Sequence, residues 1–184
     1  TPQKNGNYLP ILTQTKYRNP HPMPASITFV TVDYNDPQLG NDMLAMLDAY
    51  AKDPMGGGQG ISDHVKTALL PALANRHDAI SILCYVDGKP AGLANCFESF
   101  STFKAKPVMN IHDFVILGGN RKLGLSQKLL EAVQSMAKAR GCCKLTLELL
   151  EGNTPAKNAY LKFGFDGYEL DPEMGKAYFW EKAL

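Results

Sequence analysis

Between Ala79 and Leu117 the chain reads as three β-strands in succession, and this run constrains the fold more than any other feature. Ala79 to Val86 and Ala91 to Phe100 are rich in β-branched and aromatic residues and meet at Asp87-Gly88, a strong hairpin signal. Val108 to Leu117 follows as the third strand. Three consecutive strands break the strict strand–helix alternation that a doubly wound fold requires. Upstream, Ile27 to Tyr34 reads as a strand, and Asp36-Pro37 opens a helix as N-cap and first residue. Leu39, Met43, Leu44, Met46, Leu47 and Tyr50 form its apolar face. A second helix begins after Ser62, with Val65, Leu69, Leu70 and Leu73 facing inward. Downstream, Leu123 to Arg140 is a helix with Leu125, Leu129, Val133, Met136 and Ala137 on one stripe. Lys144 to Leu150 is a strand, and Thr154 to Phe163 a helix ended by Gly164. Phe165 to Leu170 and Ala177 to Lys182 are the last two strands. The expected class is α/β, with a single mixed, mostly antiparallel sheet flanked by helices.

Residues 1–25 stand apart. Pro2, Pro10, Pro20, Pro22 and Pro24 forbid a regular helix or central strand over most of the stretch, so an N-terminal arm precedes one domain over 26–184. Nineteen Lys plus Arg against eighteen Asp plus Glu leave a net charge of +1, which argues against holding nucleic acid by bulk charge. It leaves room for a local basic patch. No apolar run approaches the ~20 residues that span a bilayer, so no membrane partner is expected. Cys84, Cys96, Cys142 and Cys143 form no C-x-x-C pair, and no His stands at zinc-ligand spacing from them. They read as small, reduced, mostly buried side chains, with no metal site. The N-terminal stretch lacks a charged-then-apolar leader pattern, and a cytoplasmic location is expected.

The most informative stretch runs from Asn110 to Ser126: a strand ending at Leu117, then Gly118-Gly119-Asn120, the basic pair Arg121-Lys122, and a helix opening at Gly124. A helix N-terminus offers unpaired N–H groups and a partial positive charge, which suits an anion. The stretch is neither a Walker loop nor a dinucleotide fingerprint, since no Gly-Lys-Ser/Thr and no Gly-x-Gly-x-x-Gly occurs in it. On these residues alone a tight turn with a solvated basic pair fits as well.

A second stretch, Asn153-Thr154-Pro155-Ala156-Lys157-Asn158-Ala159-Tyr160-Leu161-Lys162-Phe163-Gly164-Phe165, makes the reading specific. Together the two resemble the Gcn5-related N-acetyltransferase (GNAT) superfamily. Its signature is R/Q-x-x-G-x-G/A followed, after the next strand, by N-x-x-A-x-x-x-Y-x-x-x-G-F. Arg121, Gly124 and Ser126 fit the first part, with Ser in the final small position. Asn153, Ala156, Tyr160, Gly164 and Phe165 fit the second without a gap. The resemblance covers residues 26–184 in element order and implies the GNAT-like acyl-CoA N-acyltransferase fold. Within the superfamily it leans toward spermidine/spermine-type amine acetyltransferases, through Phe100-Ser101-Thr102-Phe103 and His112-Asp113. His112 stands where that group carries an acid, Gly118 where Pro is usual, and Lys122 where Gly is usual.

The resemblance implies an acetyl-CoA-dependent N-acetyltransferase acting by direct attack of a small primary amine, polyamine-like or amino-acid-like. The alternatives are a protein lysine or N-terminal acetyltransferase and a non-catalytic acyl-CoA-binding module. It implies that the pyrophosphate of acetyl-CoA lies on the backbone of Arg121, Lys122, Leu123, Gly124, Leu125 and Ser126. The pantetheine arm would pair with Phe114, Val115 and Ile116, and Asn153 and Tyr160 complete the cofactor contacts. Tyr160 is the implied general acid for the CoA thiolate. Asp113 and His112 are the candidates for receiving the amine and its proton. Adjacent strand positions point to opposite faces, so regular alternation admits only one of them to the site; a bulge would admit both. Asp53-Pro54-Met55-Gly56-Gly57-Gly58 lies where the resemblance places the border of the acceptor site, and reads as a mobile lid or acceptor-contacting loop, or else as a flexible spacer. The expected partners are the amine and a second copy of the chain in a homodimer.

Overall fold

The run of strands at the centre of the sequence becomes the centre of the sheet. The computed structural model describes residues 25–168, 173 and 179–184. Five strands lie in chain order: β1 (Ile27–Thr31), β2 (Ala79–Val86), β3 (Lys89–Ser101), β4 (Lys106–Ile116) and β5 (Leu145–Leu147). The first four are antiparallel and β5 joins β4 in parallel, so the sheet is mixed and mostly antiparallel. The β2–β3 turn has φ 49° at Asp87 and 74° at Gly88, the two left-handed residues a tight hairpin requires.

Among the described residues four helices cover the sheet: α1 (Pro37–Lys52), α2 (Asp63–Ala74), α3 (Leu125–Ala139) and α4 (Thr154–Phe163). Their starts follow from local chemistry. Asp36 accepts from the backbone N–H groups of Gln38 and Leu39, and Ser62 from that of Val65. Each helix end is also set locally: Gly164 closes α4 at φ 100°, where a side chain would be strained. One core lies between the sheet and α3, built on Leu125, Leu129, Leu130 and Val133 against Ile82, Cys84, Cys96 and Ile111. The other lies on the opposite face, with Met43 and Met46 of α1 and Leu73 of α2 against Leu83 and Leu93. Burying each large side chain contributes roughly 1.5–3 kcal/mol before chain entropy is charged against it.

Two irregularities in β4 position everything that follows. The first is a bulge. Asn95 pairs with Asp113 while the next residue, Cys96, pairs with Ile111, so His112 is an extra residue in the strand. The second is a divergence. β5 pairs with β4 only at Met109, Asn110 and Ile111, and from His112 to Ile116 no strand lies on that side of β4 among the described residues.

The structure departs from the sequence reading in the bounds of several elements. β1, expected to run to Tyr34, ends at Thr31. β5 stops at Leu147 rather than Leu150, because the chain turns away from β4 there. The helix expected from Leu123 begins at Leu125. Gly118–Leu123 is instead a 3-10 turn closed by Gly124 in the left-handed conformation (φ 67°, ψ 22°), which an α-helix cannot run through. The two final strands expected at 165–170 and 177–182 lie partly outside the described residues; among the described residues, 165–168 and 179–182 show no strand pairing. The arm proposed for 1–25 also lies outside them, except Ala25. All four cysteines are free thiols, Cys84 and Cys96 buried and Cys142 and Cys143 half-buried.

Candidate active site

Where β4 and β5 part, a cleft of about 400 Å³ opens. From β4 it is lined by Ile111, His112, Phe114, Val115 and Ile116, and from α4 by Pro155, Ala156, Ala159 and Tyr160, with Asn153 just ahead of that helix. Ser126 at the start of α3 reaches it as well. The wall opposite comes from Tyr50 of α1 and from Asp53 and Met55 just beyond it. Glu148, Leu149 and Leu150, the segment turning away after β5, complete it. The divergence thus brings together both motif stretches, whose nearest ends, Ser126 and Asn153, are 27 positions apart in sequence.

The bulge resolves the question of His112 and Asp113. Ile111 and Phe114 belong to the core under α3, yet His112 stacks edge-on against Phe97, which packs with the core under α1, at 5.6 Å between centroids. Asp113 stands opposite Asn95 and accepts a hydrogen bond from its Nδ2 at 3.0 Å. The extra residue therefore turns both His112 and Asp113 to the α1 face, which strict alternation would not permit. Their exposure differs. His112 is exposed and lines the cleft; Asp113 is half-buried and does not line it. Its charge still reaches the cleft, because the Tyr50 phenol is held above its ordinary pKa first by burial and then by Asp113 and Asp53.

Tyr160 is 9% exposed, with its ring edge-on to Phe114 (5.9 Å) and Phe165 (5.7 Å). Burial, then the neighbouring Tyr50, pushes its pKa up to about 12. It is therefore a proton donor at every physiological pH. Asn153, expected among cofactor contacts, has a structural duty too: its Oδ1 accepts from the N–H of Ala156 at 3.3 Å and caps α4. Asn153→Ala should accordingly lower stability by about 1 kcal/mol, read as a fall in Tm of roughly 2–4 °C by differential scanning calorimetry.

The turn before α3 has the features an anion site needs. No side chain caps the first N–H groups of the helix, and a Cβ added at Gly124 would meet nothing within 4 Å. Arg121 and Lys122 fall on the 3-10 turn, whereas Leu125 is buried, so only its backbone is available to a ligand. Phe114, Val115 and Ile116 present their β5-side backbone edge to the cleft.

The loop at Met55 borders the cleft, as one of the two sequence readings held. Its glycines serve different ends: a Cβ at Gly56 would lie 2.1 Å from the Tyr50 carbonyl, whereas Gly57 and Gly58 take φ 116° and 77°. Phe100-Ser101-Thr102-Phe103 sits at the tip of the β3–β4 hairpin and does not line the cleft. Sequence reasoning missed Tyr50 and Glu148 as cleft residues. Tyr50 carried only the signal of an apolar helix position. Glu148 is an ordinary loop acid whose neighbours come from distant segments. Among the described residues no three His, Cys, Asp or Glu side chains cluster as metal ligands would, and no helix is long and apolar enough to cross a membrane.

Comparison with known proteins extends this geometry. The chain is 26% identical over 104 residues to the uncharacterised N-acetyltransferase YhfO of Bacillus subtilis (strain 168), covering 56% of this chain and 68% of YhfO. The fold is shared with a probable acetyltransferase at TM-score 0.72, over 85% of this chain and 99% of that one, at 16% identity. It is shared also with the aminoglycoside N-acetyltransferase AAC(6')-Iy in complex with CoA, at TM-score 0.67, over 89% and 99%, at 17% identity. The model of the acetyltransferase (GNAT) family matches residues 43–165, which hold both glycine-bearing stretches and every wall of the cleft. With two thirds of its length accounted for in this way, the chain belongs to the GNAT family and is an N-acetyltransferase.

Proposed function

We propose that this enzyme transfers the acetyl group of acetyl-CoA to a primary amine of a small molecule, within the cleft between β4 and β5. The observation that carries the amine reading is the charge of the cleft. In a chain of net charge +1, the described residues that line it include Asp53 and Glu148 but no Lys or Arg, and the Asp113 charge acts on Tyr50 in its wall. Such a wall attracts a cationic acceptor and disfavours an anionic one. Polyamine-like and amino-acid-like amines both fit that description. An aminoglycoside does too, the class named for AAC(6')-Iy, which shares the fold.

The family uses acetyl-CoA, whose thioester supplies the activated acetyl group. The residues present fit it: uncapped N–H groups open α3 beside Gly124 for a pyrophosphate, and the unpaired edge of Phe114, Val115 and Ile116 suits a strand-like pantetheine arm. A backbone N–H on that edge would stabilise charge developing on the acyl oxygen. An alkyl amine of pKa about 10.4 is roughly one part in a thousand neutral near pH 7.4, so its proton must be taken. His112, exposed in the cleft, is the group placed to take it. Tyr160, on the α4 side, holds its proton for the departing sulfur. Asp113 supplies charge from behind and is a positioning residue.

A thiol-release assay over a panel of one diamine, one aminoglycoside, one amino acid and one lysine peptide tests this reading. Turnover is expected with the small amines. Asp113→Asn should lower their kcat/KM about tenfold while leaving an alcohol or thiol acceptor nearly unchanged, since only the amine is cationic. Acetylation of the peptide alone, or of no amine, would overturn the proposal.

A further inference from the structure

Across the α1 face of the sheet, polar side chains form a row in otherwise apolar surroundings. Ser81 on β2 is 1% exposed and Asn95 on β3 is 5% exposed, the two polar residues among the buried ones described. They are direct cross-strand partners, and Asn95 is in turn the partner of Asp113 on β4. The Ser81 Oγ donates to Asn95 Oδ1 at 2.7 Å, and Asn95 Nδ2 donates to Asp113 Oδ2 at 3.0 Å. The Tyr34 hydroxyl lies 3.0 Å from Ser81 Oγ.

The direction of this chain is fixed by inventory. A carboxylate only accepts, so Asn95 must turn its NH₂ toward Asp113 and its carbonyl toward Ser81. Ser81 has one proton and gives it to that carbonyl. Tyr34 must then donate to Ser81. Every proton in the row points toward Asp113, and successive donors polarise one another along it. Such an arrangement does little for folding, because apolar residues of the same shape could replace it at nearly no cost. Its other consequence is local: it fixes where the carboxylate sits.

We propose that Asn95, backed by Ser81 and Tyr34, is a positioning residue of the acceptor site, clamping Asp113 on the α1 side of the bulge so that its charge acts on a cationic amine in the cleft. The proposal rests on the amine reading given above. The groups around Asp113 are Tyr50 of α1, with Asp53 beyond that helix, Asn95 and Cys96 of β3, and His112 on its own strand. Of these only Asn95 binds the carboxylate, so Asn95 is where the clamp can be released.

A double-mutant cycle on the best amine of the panel decides it. Asn95→Leu is expected to lower kcat/KM for the amine about tenfold, mainly through the amine KM, with the KM for acetyl-CoA unchanged. In the Asp113→Asn background the same substitution should change it less than about twofold. Asn95→Ala removes the donor to Asp113 without adding volume, and it should show the same pattern if Asn95→Leu folds poorly. Tyr34→Phe, at the far end of the row, should cost about twofold to threefold and lose that effect in the Asp113→Asn background. Losses that add in both backgrounds, while the amine is still acetylated, would make Asn95 a core residue only and overturn the clamp. Absence of amine turnover in the wild type takes the amine reading down first, and the clamp with it.

Discussion

Tyr160→Phe is expected to lower kcat by ~10–1000-fold while leaving acetyl-CoA affinity nearly unchanged. The substitution keeps the ring and its edge-on contacts with Phe114 and Phe165, so packing survives and only the phenolic proton is lost. The size of the effect follows from the state of that proton. With its pKa pushed up to about 12, outright transfer to a thiolate of ordinary pKa 8.5 is uphill by about 5 kcal/mol, against about 2 kcal/mol for an unperturbed phenol. Tyr160 therefore acts as a hydrogen-bond donor to the sulfur as charge develops there, with its proton moving late. The pH dependence follows with a definite sign. A phenol whose folded pKa lies above its ordinary value of 10 contributes stability that is fully present below pH 10 and lost as pH rises through about 12. The wild-type rate should show no alkaline fall attributable to Tyr160 below about pH 11, and Tyr160→Phe should lose less stability than the wild type between pH 10 and 12. An unchanged kcat on a good amine would hand the proton to water or another side chain.

Gly124→Glu is expected to weaken acetyl-CoA binding by ~10–30-fold in isothermal titration calorimetry. A Cβ at Gly124 meets open space, so the variant should fold, at a cost of about 1 kcal/mol for a side chain held at φ 67°. The loss in affinity comes from charge. A carboxylate beside a bound pyrophosphate, at about 5 Å from two negative charges in a water-like medium, opposes binding by roughly 2 kcal/mol. Gly124→Asn shares the left-handed preference without the charge, and should bind within a few-fold of wild type. Equal affinity of the wild type for CoA and for a pantetheine fragment lacking phosphates would sink the phosphate cradle.

Much of this was legible where chemistry is local. Asp36 and Ser62 announce their helices because an N-cap needs only its own next three residues. The Asp87-Gly88 hairpin is of the same kind. Asn153 and Tyr160 are assigned to one site by the family resemblance, and the short α4 brings both to the cleft. What stayed hidden depends on pairing between strands. Whether His112 and Asp113 share a face is decided by the β3 register, where Asn95 and Cys96 skip one residue of β4, and no pattern within β4 encodes that. Asn95 gave a faint sign, a lone amide among Leu93, Ala94 and Cys96, but its meaning lay in partners 14 and 18 residues away. Gly124 opens α3 as its N-cap, as the sequence indicates, while the 3-10 turn that it also closes, over Gly118–Leu123, has no residue pattern to announce it.

The single extra residue in β4 also divides the strand into two phases. Before it, odd-numbered positions such as Met109 and Ile111 face α3; after it, even-numbered positions such as Phe114 and Ile116 do, and Val115 faces α1. Loss of the extra residue, His112, would merge the two phases into one regular alternation. Asn95 and Cys96 would pair with consecutive residues of β4, and Ile111, Phe114 and Ile116 would still face α3 while Asp113 and Val115 still faced α1. Both cores would keep their occupants, and Phe114 its place against Tyr160. The deletion would take away a single imidazole in the cleft and the local kink of the strand, so at this point of the chain strand length serves the site and not the layers that hold it.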